Sequence, residues 1–367
     1  MKVDAVELHR LAIPLRRPFR TSFGVQTKRD VLLVRVVGPD GEGWGECVAL
    51  AEPVYSSEYV EGAHALLRDL LAPRLLAAAD VTARTFAPLV GDILGHRMAK
   101  AALETAVLDA ELRHFGLSLA GYLGATRTRV ECGVSVGIAP TLESLLEEVT
   151  GYVEQGYRRI KLKIQPDWDL EPVAAVRAEF GPDLMLQVDA NTSYDATTMG
   201  RLEQLDEQAL LLIEQPFDEE DLEQHTQLAQ RIRTPVCLDE SVTSARSAAD
   251  AIRRGACSIV NIKAGRVGGY LEAVRVHDVC AAMGVPVWCG GMLETGLGRA
   301  ANVALAALPN FRLPGDTSAS DRFYINDITE PFVLRDGMLD VPSAPGIAGP
   351  LDADLVRRLT TRVETVR

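Results

Sequence analysis

A short apolar run followed by a helical pattern recurs about every 25 residues between about residues 126 and 320. The runs are Val130 to Ile138, Arg159 to Ile164, Leu184 to Ala190, Leu210 to Glu214, Val236 to Glu240, Ser258 to Lys263 and Val285 to Gly291. Strands that alternate with single helices predict parallel βα units, and seven or eight of them in about 190 residues predict a closed (β/α) barrel. An open doubly wound sheet has the same alternation, but the glycine-rich phosphate loop that it should carry after an early strand is missing.

The segments before and after this region have a different pattern. Residues 1–125 begin with three strand-like runs and continue with helical periodicity, which predicts a three-stranded meander covered by helices, an α+β capping domain. Residues 321–367 contain one strand-like stretch, Pro331 to Val341, and a short helix from about Asp352. This last segment is too small for its own core, so we expect it to return to the capping domain and complete it.

Residues 16–24, called the flap below, lie between two strands of the predicted meander and fit neither a strand nor a helix. An ordinary surface connection is one interpretation. The aromatic residues Phe19 and Phe23 also suit a mobile loop that closes on a ligand.

The composition argues against several classes of protein. The 367 residues include 38 Lys and Arg against 51 Asp and Glu, a formal net charge of −13, which argues against a nucleic-acid or anionic-membrane partner. No window reaches about 18 uninterrupted apolar residues, and the N-terminus does not resemble a signal peptide. The 6 cysteines stand singly, mostly in apolar segments, as expected for a cytoplasmic protein with reduced thiols.

Charged residues stand at the ends of the apolar runs. In chain order they are Lys161 and Lys163, then Asp189, Glu214, Asp239 and Lys263. In a barrel of parallel strands these ends lie on one face, where catalytic loops assemble. A single charge of this kind often terminates a strand or caps a helix, but the ordered set predicts six charged groups at one barrel mouth.

Three carboxylates on neighbouring strands, Asp189, Glu214 and Asp239, would repel one another unless a cation neutralised them. Ligation by oxygen atoms alone favours a hard divalent ion. We therefore expect one Mg²⁺, for which Mn²⁺ or a similar ion can substitute. The 6 histidines lie in the predicted outer domain or in helical segments, which argues against zinc.

The lysines are expected to flank this metal. Lys161 and Lys163 are two apart on one strand and point to the same face, whereas Lys263 comes from a strand nearly opposite. A nearby cation disfavours the charged form of a lysine and so makes it a better base, and Arg266, one turn beyond Lys263, could act in this way. Lysines on both sides of a metal-held ligand suggest abstraction of the proton α to a carboxylate, with the enediolate charge stabilised by Mg²⁺ and Lys161.

These residues resemble the pattern of the enolase superfamily, muconate-lactonising subgroup. The resemblance rests on five motifs in order: Lys161-Leu162-Lys163, Asp189-Ala190-Asn191, Glu214-Gln215-Pro216, Asp239-Glu240-Ser241 and Asn261-Ile262-Lys263. Residues 17–24, 290–296 and 313–318 are similar to the o-succinylbenzoate synthase and N-succinylamino acid (N-acylamino acid) racemase branch. The resemblance implies a (β/α)₇β TIM-like barrel with an α+β capping domain, one Mg²⁺ and often a dimer or octamer, so we expect a homo-oligomer.

The resemblance also assigns roles to single residues. It implies that Lys163 and Lys263 are the acid–base pair and that Lys161 lies against the carboxylate of a small-molecule substrate. The residues expected to line the substrate pocket are Ser135 and Asn191, which face inward by strand parity, the segment Gly291, Met292 and Leu293, and Phe19, Phe23 and Tyr55 from the cap.

Two reactions of this branch remain open. Dehydration of a cyclohexadiene carboxylate to o-succinylbenzoate, a step of menaquinone synthesis, could use one lysine first as base and then as acid. Racemisation of an N-succinylamino acid needs a base on each face of the substrate, and Arg266 favours this second activity. The working hypothesis is a bifunctional enzyme.

Other functions are also open. A muconate-type cycloisomerase or a dipeptide epimerase is the enzymatic alternative, although Asp316-Thr317-Ser318 departs from the Asp-x-Asp pair typical of such epimerases. A non-catalytic scaffold that binds a metal or ligand is an alternative of another class, and the complete set of lysines and carboxylates argues against it.

Overall fold

The computed structural model describes all 367 residues of the chain. Its N-terminal part contains the strands β1 (Ala5–Thr21), β2 (Gly24–Gly38) and β3 (Gly41–Cys47). They pair as the antiparallel meander that the sequence predicts. The β2–β3 turn has only two residues between the paired Gly38 and Gly41, and the φ of 129° at Gly41 is accessible to glycine and strained for other residues.

Five helices follow the meander. They are α1 (Val60–Leu66), α2 (Ala72–Ala77), α3 (Ala83–Leu89), α4 (Arg97–Phe115) and α5 (Leu119–Leu123). The longest, α4, packs on β3 so closely that a Cβ at Gly43 would clash with the carbonyl oxygen of Ala106, and a Cβ at Gly45 would clash with that of Ala102. Glycines on the strand and alanines on the helix therefore allow this contact.

The central region contains eight strands. They are β4 (Arg129–Glu131), β5 (Gly133–Val136), β6 (Arg159–Lys163), β7 (Met185–Asp189), β8 (Ile213–Glu214), β9 (Val236–Leu238), β10 (Ile259–Ile262) and β11 (Val287–Cys289). β5 to β11 form one curled parallel sheet of seven strands in chain order. Each lies within one of the apolar runs, so the predicted α/β architecture is confirmed.

Residues 311–316 lie between the two edges of this sheet. The backbone N–H of Asp316 donates to a carbonyl of β11 at 2.8 Å, and the carbonyl of Gly315 accepts from the first N–H of β5 at 2.7 Å. Pro314 has no N–H and interrupts regular pairing. An irregular segment therefore occupies the place of the eighth strand.

Helices cover the outside of the sheet. They are α6 (Leu142–Glu154), α7 (Leu170–Phe180), α8 (Met199–Gln204), α9 (Leu222–Arg231), α10 (Ala245–Arg254), α11 (Ala264–Val267), α12 (Tyr270–Ala282) and α13 (Gly296–Ala306). Capping boxes at Thr141 and Ser244 fix the starts of α6 and α10. The sheet and helices enclose most of a cluster of 72 buried apolar residues. None of the helices has both the length and the apolar character needed to cross a membrane.

The C-terminal segment contains β12 (Met338–Asp340), α14 (Ala353–Leu359) and β13 (Thr360–Val366). β13 pairs with β1, so the end of the chain joins the N-terminal sheet. The prediction of a strand from Pro331 to Val341 was wrong in extent, because a turn at Asp336 and Gly337, both with positive φ, leaves only three residues to pair with β4.

The prediction that the flap is neither strand nor helix was also wrong. β1 continues to Thr21 and β2 begins at Gly24, so the flap is the tip of a hairpin with Phe19 opposite Gln26. The register shifts between Pro14 and Phe19. Prolines there cannot donate to the ladder, which made this strand hard to identify from its sequence.

Candidate active site

Six charged side chains meet at the mouth of the barrel. Lys161 and Lys163 belong to β6, Asp189 and Glu214 end β7 and β8, and Asp239 and Lys263 directly follow β9 and β10. Lys163 is in register with Asp189, which is in register with Glu214. All six residues are between 0 and 8% exposed. The strand ends therefore bring these residues together, as the sequence predicts.

Lys161 is surrounded by acids. Its Nζ lies 3.2 Å from Asp189, 3.2 Å from Glu214 and 2.7 Å from Asp316. It also lies 4.9 Å from the ring centroid of the buried Trp288. Burial lowers the pKa of Lys161, but the charges of Asp316, Glu214 and Asp189 outweigh this effect and the net pKa is raised. Lys161 is therefore a fixed cation.

The other two lysines each pair with one carboxylate. Lys163 Nζ donates to Asp189 Oδ2 at 2.5 Å and to Asn191 Oδ1 at 2.6 Å. Lys263 Nζ lies 2.7 Å from Asp239 Oδ2 and donates to the hydroxyl of Tyr55 at 3.0 Å. Each ammonium group is thus oriented by one acid and one neutral polar side chain.

Arg266 does not lower the pKa of Lys263 below its ordinary value in this structure. Burial lowers that pKa, but Asp239, Tyr55 and Glu240 raise it, and the net pKa lies well above the ordinary value. The Arg266 Nε donates to the Glu240 carbonyl at 2.9 Å, and its guanidinium carbon lies 5.3 Å from the centroid of the Tyr55 ring, which Lys263 also contacts. Arg266 therefore influences the pKa of Lys263 less than the nearby acids do.

The carboxylates form an oxygen-rich, buried donor set. Burial and the charge of Asp189 raise the pKa of Glu214 to about 7, whereas burial of Asp189 is outweighed by Lys163 and Lys161 and its pKa is lowered. Nearby, Glu240 Oε2 is buried without a hydrogen-bond partner, and burial with the charge of Asp239 raises its pKa to about 8. This excess of buried oxygen acceptors fits a hard divalent cation in its chemistry.

The three predicted metal ligands form ion pairs with lysines in this structure. No three His, Cys, Asp or Glu side chains are arranged so that they could hold a metal ion. Each of the three predicted ligands instead contacts a lysine ammonium group, Asp189 and Glu214 through Lys161 and Asp239 through Lys263. Metal binding would therefore require these ion pairs to rearrange.

A cavity that is partly open to solvent lies between the flap and the barrel mouth. Its lining includes Lys163 and Lys263 and all nine residues predicted to contact substrate: Ser135, Lys161, Asn191, Gly291, Met292, Leu293, Phe19, Phe23 and Tyr55. The predicted residues of the cap and of the barrel therefore line one cavity. Their roles in binding and catalysis stay predictions.

Sequence reasoning missed several lining residues. They are Thr21, Gln26, Leu50, Gly133, Asp316, Ser318 and Phe323. Asp316 holds Lys161 and also accepts from Arg159 at 2.8 Å, and this pairing lowers its pKa despite burial. Its position after a Pro-Gly pair gave no strand pattern. Phe323 lies in the segment that we assigned to the cap.

The fold and the site together define a class: a capped (β/α)-barrel enzyme whose strand ends carry three lysines and three carboxylates. Residues 144–355 match the family model "Enolase C-terminal domain-like", and residues 5–124 match "Mandelate racemase / muconate lactonizing enzyme, N-terminal domain". The chain belongs to the enolase superfamily. Enzymes of this superfamily generally use a divalent metal.

Relatives are similar over almost the whole chain. An N-succinylamino acid racemase of Amycolatopsis sp. is 63% identical, with 98% of both chains covered. An o-succinylbenzoate synthase of Geobacillus stearothermophilus is 46% identical, with 98% of this chain and 96% of the relative covered. The crystal structure of an enolase superfamily member from Listeria innocua has a TM-score of 0.95 and 39% identity, and covers 100% of this chain and 99% of that one.

Proposed function

We propose that this protein abstracts the proton α to a carboxylate, acting as an N-succinylamino acid (N-acylamino acid) racemase, an o-succinylbenzoate synthase, or both. The observation that carries the proposal is that Lys163 and Lys263, from separate strands, line one cavity together with the cation Lys161. The names of the similar proteins support the same two reactions. They give less support to a muconate-type cycloisomerase or a dipeptide epimerase, since a chloromuconate cycloisomerase is 28% identical.

The substrate carboxylate would lie against Lys161, whose position is fixed by Asp316 and Trp288. Asp189, Glu214 and Asp239 are the residues that would hold a divalent ion, which we propose is Mg²⁺. Bound there, the ion would supply positive charge that stabilises the enediolate more than the substrate. Ser135, Asn191 and residues 291–293 would contact the acyl part, under Phe19, Phe23 and Tyr55 of the cap.

In racemisation, the neutral amine of one lysine takes the α-proton from its face of the substrate. The ammonium group of the other lysine gives a proton to the opposite face, so the carbon inverts and the proton count balances. In dehydration, one lysine takes the α-proton and returns it to the departing hydroxyl, which leaves as water, while the other lysine remains a cation beside the intermediate. Arg266 would favour the neutral form of Lys263 once Asp239 shares its charge with another cation.

The proposal extends to the location, the oligomeric state and the domain division of the protein. We propose a reducing cytoplasmic location, which the six buried free cysteines support, and a homo-oligomer, a dimer or octamer. We also propose that residues 1–125 and 321–367 form one capping domain around a barrel of residues 126–320. The pairing of β13 with β1 supports this division.

The test is a parallel assay of the purified protein with Mg²⁺ for dehydration and for N-succinylamino acid racemisation. We expect turnover in at least one assay. A lack of both activities, together with no exchange of the α-proton into D₂O for any N-acylamino acid tried, would instead support a non-catalytic scaffold.

A further inference from the structure

Arg322 lies behind the cavity wall and contacts three aromatic rings. Its guanidinium carbon is 5.6 Å from the centroid of Phe19, 5.0 Å from Tyr152 and 4.9 Å from Phe323. Phe19 belongs to the flap, Tyr152 to α6, and Phe323 to the C-terminal segment. The Arg322 side chain is 5% exposed, so these contacts are largely shielded from water and stronger than surface ones.

The polar contacts of Arg322 reach β5 and α6. One terminal nitrogen donates to the carbonyl of Ser135 at 2.7 Å and lies 3.7 Å from Glu148. The Arg322 Nε is buried without a partner. Glu148 also accepts from the Tyr152 hydroxyl at 3.1 Å, so α6 supplies both an acid and a ring. The guanidinium thus connects the flap to the β5 backbone that carries Ser135.

The backbone of the flap is attached at the same place. The N–H of Arg16 donates to the carbonyl of Phe323 at 2.7 Å, and the carbonyl of Arg20 accepts from Ile138 N–H at 3.0 Å. Between these two bonds, the Phe19 ring meets the Phe323 ring edge to face at a centroid distance of 5.9 Å. The backbone hydrogen bonds hold Arg16 and Arg20, and Arg322 contacts the side chain of Phe19 between them.

We propose that Arg322 is a positioning residue that fixes the flap in its closed position over the substrate cavity. It acts through Phe19 and Phe323, which line the cavity, and through the Ser135 carbonyl. A planar guanidinium can contact three rings and a carbonyl together, whereas a lysine ammonium group cannot. The kinetic part of this inference rests on the proposed function, and the conformational part does not.

Limited trypsin digestion of the full chain tests the conformational part. Arg16 and Arg20 of the flap are exposed, while Pro18 protects the bond after Arg17. In Arg322→Lys we expect cleavage after Arg16 and Arg20 to become about tenfold faster, a factor that corresponds to about 1.4 kcal/mol of lost closure energy.

Arg177→Lys is the matched control. Arg177 of α7 also donates to carbonyls, to Gln208 at 2.9 Å and Leu184 at 3.0 Å, but it lies at the end of the barrel where β7 begins, away from the mouth. Flap cleavage at the wild-type rate in Arg322→Lys, or equal acceleration in both variants, would overturn the inference. If Arg322→Lys does not fold, Phe19→Leu removes the flap side of the same contact and should accelerate the same two cleavages.

Steady-state kinetics provide a second readout. For Arg322→Lys we expect KM to rise about fivefold or more while kcat stays within about twofold, because the flap contributes to binding and Arg322 does not touch the reacting atoms. A fall in kcat with unchanged KM would overturn the positioning role. If flap cleavage accelerates but even the wild-type protein turns over neither substrate, the proposed function fails and the positioning role stands.

Discussion

Asp316 shows how one residue at the mouth of the barrel fixes a cation. Its two oxygens are shared between Lys161 at 2.7 Å and the fully buried Arg159 at 2.8 Å, and Arg159 also lies 5.0 Å from the centre of the Trp288 ring. In this arrangement the carboxylate of Asp316 has no free charge to offer to the ammonium group of a substrate. Asp316 is therefore already paired with two cations of the protein itself.

Replacing this carboxylate should destabilise the protein. In Asp316→Asn the buried Arg159 loses its charged partner, and we expect the free energy of unfolding to fall by on the order of 3 kcal/mol in urea denaturation. Asp321→Asn is the control, because Asp321 is 70% exposed and pairs with Arg16 at 3.5 Å. That change should cost less than about 1 kcal/mol. Equal losses in the two variants would contradict this description of Asp316.

At the scale of single residues, the sequence predicts the six charges of the mouth well, because a buried strand that ends in a charge is an unusual pattern. Asp316 and Phe323 were missed for a physical reason. Both lie in irregular backbone whose position is set by contacts with distant parts of the chain, such as the bond from Arg16 to the Phe323 carbonyl. No periodicity marks such residues.

Among the elements, two glutamates of the cap bind the N-termini of two barrel helices. Glu46 of β3 accepts from Gly298 N–H, in the first turn of α13, at 3.1 Å. Glu104 of α4 accepts from Leu271 N–H, in the first turn of α12, at 3.2 Å. A carboxylate at a helix N-terminus satisfies an otherwise unpaired N–H and the positive end of the dipole. These contacts attach the cap to the barrel.

Glu104 should make stability depend on pH. Burial raises its pKa to about 7, with a smaller contribution from the charge of Glu272, although the N–H donors of Leu271 and Tyr270 and the charge of Arg275 lower it. The folded protein therefore holds a proton that the unfolded chain releases above about pH 4.5, so this contribution to stability is full at low pH and is lost as the pH rises through about 7.

The prediction compares wild type with Glu104→Gln. Between about pH 4.5 and 8, the unfolding free energy of the wild type should fall relative to that of Glu104→Gln by on the order of 3 kcal/mol. Urea denaturation across this range gives the difference. Glu143→Gln, at an exposed first-turn position of α6, controls for the substitution itself. A constant difference across the pH range would show that Glu104 is ionised normally.

Elements differ in how well they can be predicted. The seven strands of the barrel sheet lie within apolar runs because they are buried on both faces, and helix starts such as Thr141 carry capping residues. The flap and the segment 311–316 could not be predicted as strand-like, because Pro18 and Pro314 interrupt the pattern. In the flap and in residues 311–316, hydrogen bonds to neighbouring backbone segments set the conformation, and the local sequence does not indicate these bonds.

At the scale of the whole molecule, the cavity exists only where cap and barrel meet. The barrel contributes the lysines and the cap contributes Phe19, Phe23 and Tyr55. The fold class follows from the alternation of strands and helices along the chain. The closeness of Tyr55 to Asp239, 3.2 Å between hydroxyl and carboxylate, depends on how the two parts pack and could be expected only by resemblance to a family.

The charge balance of the site gives a prediction about metal binding. Three ammonium groups, of Lys161, Lys163 and Lys263, face the predicted metal ligands Asp189, Glu214 and Asp239, and Lys161 also pairs with Asp316. A divalent ion held by these acids would add two positive charges, so binding should release about one proton from the cluster. Calorimetry in two buffers of different ionisation enthalpy measures this number.

Asp239→Asn removes one predicted ligand. This variant should bind Mg²⁺ more weakly, and binding should no longer release a proton. Chelation of divalent ions should abolish turnover, and added Mg²⁺ should restore it. Tight binding of Mg²⁺ without any proton release would contradict the view that the ion and the lysines share the same carboxylates.

In the proposed function, Lys163 and Lys263 act as bases on opposite faces of one bound substrate. The most direct measurement is α-proton exchange into D₂O for each enantiomer of an N-succinylamino acid, by Lys163→Ala and Lys263→Ala in the presence of Mg²⁺. We predict that each variant exchanges one enantiomer without inversion, that the two variants exchange opposite enantiomers, and that neither racemises. Racemisation at the wild-type rate by either variant, or exchange of both enantiomers by one of them, would contradict the account.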